Sequence, residues 1–129
     1  MKRILVVDDE ENARIALSKI LSREGYDVAS AGNGFEALTY LREKDVELII
    51  TDINMPEMNG MVFLRELNKA YPASSVIMIT AYGDPANRLM GKLQGVAKYL
   101  IKPFTPAEVV SIIRQVLEQD PDEPAANGG

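Results

Sequence analysis

The chain has 129 residues, 47% hydrophobic and 26% charged, which suits one globular domain with room for a core. It contains no cysteine and no histidine, so disulfides, thiolate or histidine metal sites and a histidine general base are excluded, and any chemistry falls to carboxylates, hydroxyls, lysine or a bound ion. A net charge of -5, with no stripe gathering the 14 Lys and Arg, argues against direct nucleic-acid binding by this domain.

The first apolar run, Ile4-Leu5-Val6-Val7, reads as a strand ending at Asp8 and Asp9. Because that break comes so early, Met1-Lys2-Arg3 does not open a signal peptide, and no stretch is long enough to span a bilayer. The expected location is the cytoplasm, without membrane association. Ala13, Ala16, Leu17, Ile20 and Leu21 then recur at helical spacing, and Gly25 ends that helix. Val28-Ala29-Ser30-Ala31 is a second, mixed strand. Asn33 caps a second helix, with Glu36 three residues on and Ala37, Leu38 and Leu41 as its stripe.

Leu48-Ile49-Ile50-Thr51 is a third strand, closed by Asp52. Phe63, Leu64 and Leu67 make the apolar face of a third helix that follows Gly60 and stops at Pro72. Val76-Ile77-Met78-Ile79 is a fourth strand, closed by Thr80. Asp84-Pro85 opens a fourth helical segment with Ala86, Leu89, Met90 and Leu93 facing inward. Gly91 inside it costs about 1 kcal/mol relative to alanine. Tyr99-Leu100-Ile101 is a fifth strand, closed by Lys102, and Thr105-Pro106-Ala107-Glu108 is a capping box for a fifth helix with Val109, Ile112, Ile113, Val116 and Leu117 behind it.

This alternation predicts an α/β domain: a doubly wound five-stranded parallel sheet flanked by five helices. The first, third and fourth strands are almost uniformly apolar and the second and fifth are mixed, so the latter two are expected at the edges, in the order 2-1-3-4-5. The domain is expected over residues 1–119, with residues 120–129 a flexible tail or the start of a linker.

Ligands of such sheets bind beyond the carboxyl ends of the strands. There the predicted strand ends bring Asp8, Asp9, Asp52, Thr80 and Lys102 together, a set suited to holding a magnesium ion and accepting a phosphoryl group. Taken singly, each has a plainer reading: a helix cap for the acidic pair, turn residues for Asp52 and Lys102, a β-branched strand end for Thr80. Their joint occurrence at four strand ends favours the functional reading.

Val6-Val7-Asp8-Asp9-Glu10, the run from Asp52 through Asn54, Met55, Pro56 and Met58 to Gly60, Thr80-Ala81 and Lys102-Pro103-Phe104 together resemble the receiver domain of two-component response regulators, including its chemotaxis members. The likeness covers Lys2 to Glu118 and implies a flavodoxin-like fold. It implies that Asp52 is the phosphoryl acceptor and that Mg2+ is held by Asp9, Asp52, the backbone carbonyl of Asn54 and water, with Asp8 acting through a water. Lys102 and the ion would offset charge gathering on the phosphoryl oxygens. Thr80 and Tyr99 match the family's switch residues. Asn54 and Tyr82 match positions that tune phosphoryl lifetime.

The implied partners are a sensor histidine kinase or histidine phosphotransfer protein and a downstream output domain or protein, reached through the fourth helix, fifth strand and fifth helix. A phosphorylation-linked dimer is among the assemblies the resemblance allows. The implied role is a phosphoacceptor switch that assists its own phosphorylation and dephosphorylation, not an enzyme with a separate substrate. Gly95-Val96-Ala97-Lys98 departs from the smaller, more acidic residues usual before the fifth strand, and Lys92 and Lys98 read as a solvated face or as contacts to an acidic partner. Two rivals fit less well. A haloacid-dehalogenase-type phosphatase needs Asp-x-Asp after the first strand, and a flavodoxin-like cofactor binder would meet phosphate repulsion at Asp8-Asp9-Glu10-Glu11.

Overall fold

The computed structural model describes residues 2–53, 58, 60–81 and 95–118. Asn54, Tyr82, the helix expected over 84–93 with Gly91 and Lys92, and the tail or linker expected over 120–129 lie outside the described residues.

Five strands, β1 (Arg3–Val7), β2 (Asp27–Ala31), β3 (Leu48–Asp52), β4 (Ser75–Ala81) and β5 (Lys98–Lys102), form one parallel sheet in the order β2-β1-β3-β4-β5. The described helices are α1 (Glu11–Arg23), α2 (Gly34–Leu41), α3 (Gly60–Ala70) and α4 (Pro106–Leu117), the last being the fifth helix of the sequence reading. The mixed strands stand at the edges, as their composition requires. A central strand must be apolar on both faces, and Ile4 to Val7 and Leu48 to Ile50 are at most 1% exposed.

Strand alternation divides the core in two. Leu5, Val7, Ile49, Val76 and Met78 meet Ala37 and Leu41 of α2 and Phe63, Leu64 and Leu67 of α3. Ile4, Val6, Leu48, Ile50, Ile77, Ile79 and Leu100 meet Leu17 and Leu21 of α1 and Val109, Ile113 and Leu117 of α4. Each fully buried side chain of this kind contributes about 1.5–3 kcal/mol. Ala16, expected on the inner face of α1, is instead exposed. At 100° per residue it lies at the margin of a stripe centred on Leu17 and Leu21.

The helix ends follow local chemistry. The Asn33 side chain accepts from the Glu36 amide, and Thr105 and Glu108 complete both halves of a capping box at α4. Gly25 leaves α1 at φ 93°, a conformation that favours glycine. Gly34 is small for a different reason: a Cβ there would stand 2.7 Å from Met58 Sδ, so α2 can start against Met58. None of the described helices is long and apolar enough to cross a membrane.

Candidate functional site

Register builds the site. Val7 pairs with Thr51, so Asp8 and Asp52 are the next residues of adjacent strands. Asp52 pairs with Ile79, Thr80 with Ile101 and Ala81 with Lys102, which brings the expected residues to one edge of the sheet. Alternation gives Asp8, Asp52 and Lys102 the parity of Val6, Ile50 and Leu100, on the side covered by α1 and α4. Thr80 and Tyr99 take the opposite parity. Tyr99 pairs with Met78, two residues before Thr80, and its half-buried ring packs against the α2 and α3 side of the core.

Carboxylate oxygens of Asp8, Asp9 and Asp52 all lie within 4.8 Å of one another. Lys102 Nζ donates to Asp52 Oδ2 at 3.0 Å and stands 3.8 Å from Asp8 Oδ2. Asp8 is 4% and Asp52 8% exposed, whereas Asp9 faces solvent. Thr80 is 1% exposed.

Asp8 is fastened at several atoms. Its amide donates to Ala31 O at 3.1 Å, its Oδ1 accepts from the Glu10 amide at 2.9 Å, and its carbonyl accepts from Arg14 Nη1 at 2.7 Å. The carboxylate therefore serves the turn into α1 as well as the acidic edge. The helix N-cap falls on Glu10, which makes no side-chain cap, so the acidic pair does not cap α1 directly.

The charges are crowded. Burial pushes the Asp8 carboxyl above its ordinary value and the charges of Asp52 and Asp9 push the same way, against the Glu10 amide and Lys102, which lower it. Burial acts to lower the Lys102 ammonium, but its hydrogen bond to Asp52 and the charges of Asp52, Asp8 and Glu10 outweigh that and hold it above its ordinary value. Among the described residues, three carboxylates against one ammonium leave an excess of negative charge in a partly dry edge, and an oxygen-only set of this kind suits a hard cation.

Asp8, Asp9, Asp52 and Lys102 are thus brought together as the sequence reading expected, with Thr80 one register position beyond Asp52 on the neighbouring strand. Arg14 was not anticipated. The signal available was a positive charge in the first turn of a helix, where the macrodipole disfavours it.

A doubly wound parallel sheet carrying an acidic cluster and a lysine at its carboxyl edge defines a receiver-type module, the class that takes a phosphoryl group in two-component signalling. The chain belongs to the response regulator receiver domain family, whose model it matches over residues 4–114. It is 39% identical over 124 residues to "DNA-binding response regulator MtrA" of Mycolicibacterium paratuberculosis, covering 96% of this chain and 55% of the relative. It is 41% identical over 118 residues to "Probable transcriptional regulator ycf27" of Cyanophora paradoxa, covering 92% and 49%. The chain therefore spans about half the length of these relatives. The chemotaxis protein CheY4 of Vibrio cholerae superposes with a TM-score of 0.86 at 33% identity, over 91% of this chain and 99% of that one.

Proposed function

We propose that this receiver domain accepts a phosphoryl group on Asp52, from a histidine kinase or a histidine phosphotransfer protein, in a reaction that requires Mg2+. The observation that carries the reading is the 3.0 Å approach of Lys102 Nζ to Asp52 Oδ2 beside the converging oxygens of Asp8 and Asp9.

Asp8, Asp9 and Asp52 are a hard-oxygen donor set that fits Mg2+, and the Asn54 carbonyl and water would complete its shell. When bound, the ion supplies charge neutralisation for the phosphoryl oxygens. The remaining work falls to side chains. An Asp52 oxygen attacks phosphorus, an O–P bond forms, and the N–P bond to the donor imidazole breaks. Lys102 already holds an Asp52 oxygen and is close enough to follow charge onto the phosphoryl group. Thr80 then donates its hydroxyl to a phosphoryl oxygen, and Tyr99, on the same face of the sheet, turns inward behind it. The surface so altered includes β5 and α4.

The domain acts as a switch that promotes its own phosphorylation and dephosphorylation. It occupies residues 1–119 of this chain, works in the cytoplasm, and signals to an output domain or protein, with phosphorylation-linked dimerisation as one route. Its charge of -5 is the wrong sign for phosphate contact, so a DNA-binding output of the kind named for the longer relatives is assigned to another domain or partner.

Intact mass after incubation with Mg2+ and a small-molecule phosphodonor tests the reading. One phosphoryl group should be gained, and the gain should vanish with Asp52→Asn and with chelator. Labelling that survives Asp52→Asn would place the acceptor elsewhere. No labelling from either the small donor or a histidine kinase panel would refute phosphoacceptor activity in this chain.

A further inference from the structure

We infer that Arg14 is a positioning residue for the cation site, acting through the peptide that joins Asp8 to Asp9; this rests on the magnesium reading above. Arg14 lies in the first turn of α1, where its charge opposes the helix macrodipole. Among the described residues its guanidinium forms no ion pair with a carboxylate. It reaches back instead to main chain, Nη1 donating to Asp8 O at 2.7 Å.

That carbonyl belongs to the planar unit that also contains the amide nitrogen and Cα of Asp9, so fixing the oxygen fixes the direction in which Asp9 leaves the strand. Asp8 keeps other restraints without Arg14: its amide on Ala31 O, its Oδ1 on the Glu10 amide, and Lys102 3.8 Å from Oδ2. Asp9 is exposed, and its approach to Asp8 and Asp52 follows from the path of this peptide. Asp8 O is thus held by a side chain rather than by the sheet, at the point where strand gives way to helix.

Charge and positioning predict opposite signs. A guanidinium beside a cation site repels the cation, so if electrostatics governed, Arg14→Ala would tighten Mg2+ binding. If Arg14 positions Asp9, the same change weakens it. Loss of partners that orient metal ligands typically costs about tenfold or more in affinity.

Isothermal titration of Mg2+ into the unphosphorylated protein reads the sign. Arg14→Ala should bind about tenfold more weakly than wild type. Arg14→Lys, which keeps charge and a donor, should recover most of the affinity. Labelling of Arg14→Ala by the small phosphodonor should return to the wild-type rate at saturating Mg2+, since Asp52 and Lys102 are untouched. Arg14→Met keeps the aliphatic stem without donor or charge, and it carries the test if the alanine variant does not fold. Equal or tighter Mg2+ binding by the alanine or methionine variant overturns the inference while leaving the phosphoacceptor reading intact. Absence of Mg2+ binding by the wild type would refute the magnesium reading and, with it, this one.

Discussion

The two poles of the sheet use the same kinds of charged residue to opposite ends. At the amino pole, Arg3 pairs with Asp27 at 3.0 Å and Arg114 with Glu24 at 2.7 Å, Tyr26 donates its hydroxyl to Glu118 at 2.5 Å, and Lys2 donates to the Leu117 carbonyl. The two ion pairs among these contacts are one to one and in contact with water, and each such pair is worth about 0–1 kcal/mol. At the carboxyl pole, three carboxylates crowd one ammonium, and two of them are nearly dry. The first arrangement is complete as it stands. The second leaves negative charge unmatched among the described residues, and that imbalance is what the proposed cation would neutralise.

The largest expected effect is at Lys102. Lys102→Met leaves Asp8 and Asp52 without their ammonium, and the labelling rate at saturating Mg2+ should fall about 100-fold or more, the scale of losing a donor aimed at developing charge. A rate within a factor of two of wild type would erase the contrast between the poles.

Asp8→Asn should have a smaller effect of opposite sign on stability. Because the folded carboxyl sits above its ordinary value of 3.8, the native state binds its proton more tightly than the unfolded chain does. The stability this provides is complete below that ordinary value and is lost as pH rises through the folded one. Near neutral pH without Mg2+, the asparagine variant should therefore be more stable than wild type, by about 0.5–2 kcal/mol, and should lose most of its stabilisation by Mg2+. Chemical denaturation at pH 3.5 and pH 7 checks this, since the advantage should shrink at the lower pH.

The smallest effect at neutral pH belongs to Tyr26. Burial, followed by the Glu118 hydrogen bond and charge, pushes its hydroxyl from 10.0 up to about 12. Its contribution is therefore present below pH 10 and declines between 10 and 12. Tyr26→Phe should flatten that alkaline limb of the stability profile while costing about 1 kcal/mol at pH 7. An unchanged limb would show that the contact is not made in solution.

Much of this was legible in sequence because it is written locally. Asn33 with Glu36, and Thr105 with Glu108, are contacts over three residues, and strand ends at Asp52 and Lys102, and within one residue of Asp8 and Thr80, follow from where apolar runs stop. The difference between Asp8 and Asp9 was also available, since neighbours in an extended chain face opposite ways. What escaped depends on the path of the chain. Arg14 meets a carbonyl, which has no residue type to recognise, and Tyr26 meets Glu118 across 92 positions. The exposure of Ala16 required knowing where the stripe of α1 is centred, which the sheet decides.

One connection has a mechanical meaning. Only Pro103 and Phe104 separate Lys102 from the Thr105 cap, and the proline ring fixes one of the few torsions in that span. There is little slack between the Lys102 backbone and the head of α4. The foot of the same helix is tethered by Lys2 at Leu117 and by Tyr26 at Glu118, just past its end. A rod about 18 Å long, pinned at its foot and drawn by its head, answers mainly by tilting, and a shift of about 1 Å in the Lys102 backbone would turn it by roughly 3°. The lysine that neutralises charge is in this sense also the handle of a lever.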